Sequence, residues 1–230
     1  MRNCAAMFLW FLAALLPAAA QGQKVEVAPG VSVSRRTYQV PENEAPFFNF
    51  AQKNEAYKAA DRQFIDGVLT KVPDRAKAAR LSIAAGDRAL LEGDDAATAA
   101  KRYNQAHLLD PQQSGIYHGF AMVVAVRFND IDYADDLFRV AARLKSPKPN
   151  LKADHGRMLL IAGRPADAKP LLEQAIQDTP DWAVLRMNLA WAVLQTGDKE
   201  EACRLRALVK GVDLDKLETD LAMFKQKAGC

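Results

Sequence analysis

Histidine and cysteine are scarce in this chain: its 230 residues hold three of each. His107, His118 and His155 form no His-Glu-x-x-His or His-x-x-x-His pair and no cysteine stands near them, so the sequence offers no zinc site. Glycine is sparse as well, at 12 residues, and none of it falls in a Gly-x-Ser-x-Gly elbow or a phosphate-cradling loop. Asp154-His155 is the one neighbouring acid–base pair. Successive residues on a helix point about 100° apart, however, and His155 occupies a core-facing position. No enzyme is expected, and no cofactor. Neither sign of charge dominates: 31 basic residues interleave with 28 acidic ones for a net +3. A nucleic-acid footprint needs a clustered basic face, which is lacking here.

Long apolar runs are also lacking, except at the start. Met1-Arg2-Asn3 precedes an uncharged run from Cys4 through Leu16; Pro17 ends it, and Ala18-Ala19-Ala20 leads to Gln21. This is the pattern of a secretory signal, residues 1–20, too short for a comfortable membrane span. The mature chain is then expected to be periplasmic or secreted and not an integral membrane protein. The style of the signal and the alanine-rich composition point to a bacterium. Cys203 and Cys230 remain in an oxidising compartment, so a disulfide between them is permitted. The alternative is one small core thiol and one tail thiol.

What the chain has is a period. Gly156 and Ala190, Gly163 and Gly197, and Ala168 and Ala202 each stand 34 residues apart; Ala134 precedes Ala168, and Phe138 precedes Leu172, by the same interval. Inside the period, apolar residues recur at helical spacing, as in Leu159, Leu160, Leu171, Leu172 and Ile176. Gly163 stands where one helix must end and the chain reverse, with Pro165 suited to the first turn of the next. Such a period marks a helix–turn–helix array, in which each pair of helices covers an apolar face of its neighbour.

The units resemble tetratricopeptide repeats. Gly156, Gly163, Ala168, Ala175 and Pro180 fill that pattern's small, turn and proline positions, with Leu172 for its aromatic. The second unit offers Met122, Ala134, Phe138 and Ala141 but has Asn129 where glycine is usual. The first has Gly86, Gly93, Ala99, Tyr103, Ala106 and Pro111, with one extra residue between Gly93 and Ala99. Ser82, His118, Lys152 and Arg186 replace the large early aromatic. The resemblance covers roughly Asp74 to Leu214. It implies an all-α, right-handed α-solenoid of repeats at about 74–111, 114–147, 149–180 and 181–214. An extra helix at 54–72 completes the helical region 54–214, and a capping helix follows at 215–230.

Before the helices, residues 21–53 are read as an extended or disordered linker. Val25 and Val27, a Pro29-Gly30 turn, then Val31 and Val33 would suit a short hairpin, marginal if alone. Phe47, Phe48 and Phe50 either dock on the first helices, the favoured reading, or await a partner. Asp94-Asp95 and Asp135-Asp136 are placed at helix N-termini.

The resemblance also implies a groove along the first helix of each unit, holding an extended or helical segment of a protein partner. Its positions fall on Ile83, Asp87 and Leu90; Val123, Val126 and Arg127; Asn150, Arg157 and Leu160; and Met187, Asn188 and Trp191. The lysine–asparagine clamp that some members use for a C-terminal carboxylate is replaced by Ile83 and Asp87. The expected work is that of a scaffold or assembly factor in the cell envelope. The rival is a small-molecule or glycan-binding envelope protein.

Overall fold

The computed structural model describes residues 23–209 and 217–230. The expected signal segment and the end of the fourth unit lie outside them. A two-stranded antiparallel hairpin comes first, β1 (Lys24–Ala28) and β2 (Val31–Ser34). The helices follow as α1 (Glu55–Lys71), α2 (Arg75–Leu91), α3 (Ala96–Leu109), α4 (Ser114–Val123), α5 (Ile131–Arg143), α6 (Leu151–Ile161), α7 (Pro165–Asp178), α8 (Ala183–Gln195), α9 (Lys199–Ala207) and α10 (Glu218–Ala228). Consecutive pairs α2/α3, α4/α5, α6/α7 and α8/α9 are the repeat units, and each packs on the next.

Local chemistry sets the boundaries. Asp74, Asp95, Asp130 and Asp198 cap α2, α3, α5 and α9, each side chain accepting a hydrogen bond from the amide three residues on. Gly163 and Gly197 turn the chain with positive φ. In the second unit Asn129 does the same work at φ 51°, a conformation asparagine tolerates better than most residues. In the first unit it is Asp94, not Gly93, that takes the left-handed position. Asp135 lies inside α5 and not at its N-terminus. The last turn of α4, Val124–Phe128, is a π turn.

Small residues let helices close together, both within a unit and between units. A Cβ on Gly86 would stand 2.5 Å from the Tyr103 ring, one on Gly119 would stand 2.3 Å from that ring, and one on Gly156 would meet Leu172 at 2.7 Å. Tyr103, Tyr117, Phe120, Phe138 and Leu172 fill the spaces between layers and are fully buried.

The segment expected as an extended or disordered linker is instead a strap folded across α3, α4 and α5. Ser34 Oγ donates to Asp136 Oδ2 at 2.7 Å, the Tyr38 ring stacks on Phe128 at 3.8 Å, and the Tyr38 hydroxyl donates to Asp130 at 3.1 Å. Glu44 is held between Lys101 and Arg127 at 3.0 and 2.7 Å, and these cations keep its carboxyl below the usual range, Arg127 foremost. Phe47, Phe48, Asn49 and Phe50 all have φ between 52° and 56°, a left-handed turn of four non-glycine residues. Each such residue costs about 1–2 kcal/mol, so tertiary contacts must hold the turn. Asn104 supplies three of them: its side chain accepts from the Phe48 amide and donates to the carbonyls of Asn43 and Ala45. Asn49 closes a two-bond ring with the Tyr38 backbone, and Phe47 plugs a cage of His107, Tyr117 and Phe120.

At the other end α10 covers the last unit. Phe224 is fully buried and meets the Trp191 ring edge-on at 5.0 Å. Cys203 on α9 and Cys230 beyond α10 are joined in a disulfide, their Cα atoms 5.9 Å apart.

Candidate functional site: the cleft along the first helices

Residues of the first helices α2, α4 and α6 line two adjoining cavities. One, of about 160 Å³, is bounded by Asp87, Leu90, Leu91, Tyr103, His118, Gly119, Met122, Lys148, Asn150 and Asp154. The other, of about 450 Å³, is mostly apolar and bounded by Met122, Ala125, Val126, Asn129, Ile131, Asp154, Arg157, Met158 and Ile161. Met122 and Asp154 belong to both, so the two form one cleft.

Its polar end is tightly bonded. Asp87 accepts from the Tyr103 hydroxyl at 2.9 Å and from Lys148 Nζ at 2.6–2.7 Å. Burial, then the Asp87 charge, push the Tyr103 phenol well above its usual range, so it stays a donor. Asp154 Oδ2 accepts from Asn150 at 2.7 Å and from His118 Nε2 at 3.0 Å, while Asp154 Oδ1 has no side-chain partner among the described residues. His118 is buried and its Nδ1 has no hydrogen-bond partner among the described residues. The lining carries no serine, threonine or cysteine that a histidine could activate. Among the described residues no three histidine, cysteine or acidic side chains gather as a metal site.

The sequence-derived groove divides when placed in space. Asp87, Leu90, Val126, Asn150 and Arg157 line the cleft. Ile83, Val123, Leu160, Met187 and Asn188 are buried in the packing between helices. Arg127 points to the strap, donating to the Glu44 carboxylate and carbonyl, because the π turn carries it and Phe128 away from the cleft. Trp191 lies beneath α10. His118, Met122, Lys148 and Ile161 were not among the groove positions. Ile161 had a readable signal: Leu91, Val126 and Ile161 recur at intervals of 35.

Residues 159–215 match the family description of the tetratricopeptide repeat. Over that stretch the chain carries the tetratricopeptide repeat. Its repeats extend upstream of that match through α2, with the same pairing of helices. A solved tetratricopeptide-repeat protein, YrrB, described as having an unusual peptide-binding site, is similar at a TM-score of 0.47 and 19% identity, over 76% of this chain and 87% of its own. No curated protein matches the sequence. Arrays of this fold present an extended surface to protein or peptide partners. Among the described residues no helix is long and apolar enough to cross a membrane.

Proposed function

We propose that this repeat protein is a non-enzymatic scaffold or assembly factor of a bacterial cell envelope, exported by its N-terminal signal, and that it holds a segment of a partner protein in the cleft along α2, α4 and α6. One observation carries the reading: on this face a bonded polar cavity adjoins an open apolar one, with Arg157 at the rim free of any ion pair among the described residues. Mixed sites of this kind take an apolar anchor and orient it with a few polar groups.

The test is affinity capture from envelope extract with the wild-type chain and an Arg157→Glu, Ile161→Asp double variant. Both residues are exposed, so the variant is expected to keep the helical circular dichroism of the wild type. A protein retained by the wild type and lost by the folded variant supports the cleft; capture unchanged by the variant removes it. For export, the mass of the protein made in cells should correspond to a chain starting at Gln21. A full-length product would count against the envelope assignment.

A further inference from the structure

Among the described residues one edge of β1 has no partner strand: its sheet consists of β1 and β2 alone. β2 fills one side of β1 and packs on α5. The Arg35 amide donates to the Gln23 carbonyl at 2.8 Å, so Gln23–Arg35 is a hydrogen-bonded pair and Val25–Val33 is the next. By that alternation Lys24 and Glu26 turn their amides and carbonyls away from β2. No other backbone group among the described residues meets them. A two-stranded hairpin is marginal in isolation, and an edge of this kind is a template for one more strand.

A cavity of about 390 Å³ lies along this edge. Val25 and Val27 from one face of β1 and Glu26 from the other all border it, which places it at the rim of the strand. Phe47, Phe48 and Phe50 border it too, so the strained left-handed turn delivers three aromatic side chains to one cavity. Its charge is unbalanced. Arg35 is exposed and has no ion pair among the described residues, and Lys53 adds a second cation, held by Asp61. The one acidic side chain on the border, Glu26, accepts from the Gly30 amide.

Each feature names a part of the ligand. Open strand groups are matched by another extended backbone, aromatic walls by an apolar side chain, and a free guanidinium by a carboxylate. We infer that the open edge of β1 takes an extended segment of a partner protein as a third strand, with an apolar side chain entering the cavity beside Phe48 and Phe50 and an acidic one meeting Arg35. None of these residues borders the cleft along α2, α4 and α6, so this is a second, separate surface.

Fluorescein-labelled peptides of about eight residues test it by anisotropy with the full chain. The parent peptide carries valine, valine and aspartate at alternate positions, sharing one face of a strand, with threonine between them. Two further forms have the backbone amides N-methylated, one at the valine and aspartate positions and the other at the threonines. A strand turns alternate amides to opposite sides, so one form should lose at least about tenfold in affinity and the other should keep it. Equal loss in both forms, or loss in neither, overturns the inference, as does the absence of binding by the parent peptide. Glu26→Pro removes an outward amide at an edge, where proline is tolerated, and should weaken the parent by about tenfold; Glu26→Ala keeps that amide and should not. Arg35→Glu should prefer a peptide with lysine for aspartate. The Arg157→Glu, Ile161→Asp chain should bind the parent as the wild type does; loss there would place the peptide in the cleft and overturn the inference. A dimer in sedimentation that Glu26→Pro dissolves would overturn it as well, because a second copy of the chain would then fill the edge.

Discussion

His155 Nε2 on α6 donates to Asp135 Oδ1 on α5 at 2.7 Å, in a contact where both side chains are buried. The same carboxylate accepts from Arg139 at 3.0 and 3.3 Å and from Arg164 at 2.9 Å. One anion thereby ties the second unit to the third. Burial works to raise the Asp135 pKa, but the hydrogen bonds from Arg139 and His155 outweigh it and the carboxyl is held below its usual range.

Replacing that carboxylate should therefore be costly. Asp135→Asn leaves donors converging on a group that cannot carry the charge, and a loss of roughly 3 kcal/mol is expected. Urea denaturation would measure it. A loss under about 1 kcal/mol would mean that solvent screens the cluster despite its burial.

Acid should loosen the strap before it protonates most carboxylates. Burial pushes the His107 pKa down to about 4, against a hydrogen bond to Val27 and with some help from Lys53; burial likewise lowers that of His155, against Asp135. In both, the unfolded chain binds the proton first, near pH 6.5. Stability from the neutral rings is thus complete above about pH 6.5 and is lost as the pH falls toward 4, by as much as about 3 kcal/mol for His107. Denaturation midpoints at pH 7.5 and 4.5 should show the drop. His107→Leu should flatten it, and an unchanged slope would mean the cage around Phe47 admits water.

Two glycine substitutions should act in opposite directions. A methyl at Gly119 collides with the ring of Tyr103, which is buried and tied to Asp87, so Gly119→Ala should cost about 2–3 kcal/mol. Gly67, within α1, meets nothing within 4 Å, and Gly67→Ala should add about 0.5–1 kcal/mol. Thermal melts of the two variants settle both signs.

Opening the disulfide should release mainly α10. The helix buries only Phe224 and Ala228, and closing a loop with a sequence separation of 27 contributes on the order of 3–4 kcal/mol in the chain-entropy account. Cys230→Ser should speed amide exchange in α10 and shift Trp191 fluorescence to the red while leaving α2–α5 protected. Unchanged exchange in α10 would show that Phe224 alone secures it.

The array was legible in the sequence because its determinants are local and repeated. Small residues at fixed intervals and left-handed turns at Gly163, Gly197 and Asn129 follow from helix geometry. The strap was not. Its four left-handed residues contradict their own local preferences and exist only through Asn104, Tyr38 and the His107 cage, contacts 11 to 61 residues away that no window of sequence shows. The cleft was half legible. Repeat positions picked out Asp87, Val126 and Arg157, which line the cleft, but assumed a regular helix through Arg127, which a π turn redirects. They also assumed an open final unit, where α10 covers Trp191.

The strap changes what kind of polymer this repeat is. A plain array holds only near-neighbour contacts and can fray one unit at a time. Here Ser34 and Lys24 reach Asp136 across 102 and 112 residues of sequence, and Arg127 reaches back 83 to Glu44. The first two units must consequently form late and together, after a large loop has closed, which slows their folding but welds them into one cooperative block. Among the described residues no strap of this kind crosses the third unit, so the cleft along α2, α4 and α6 straddles the edge of that block.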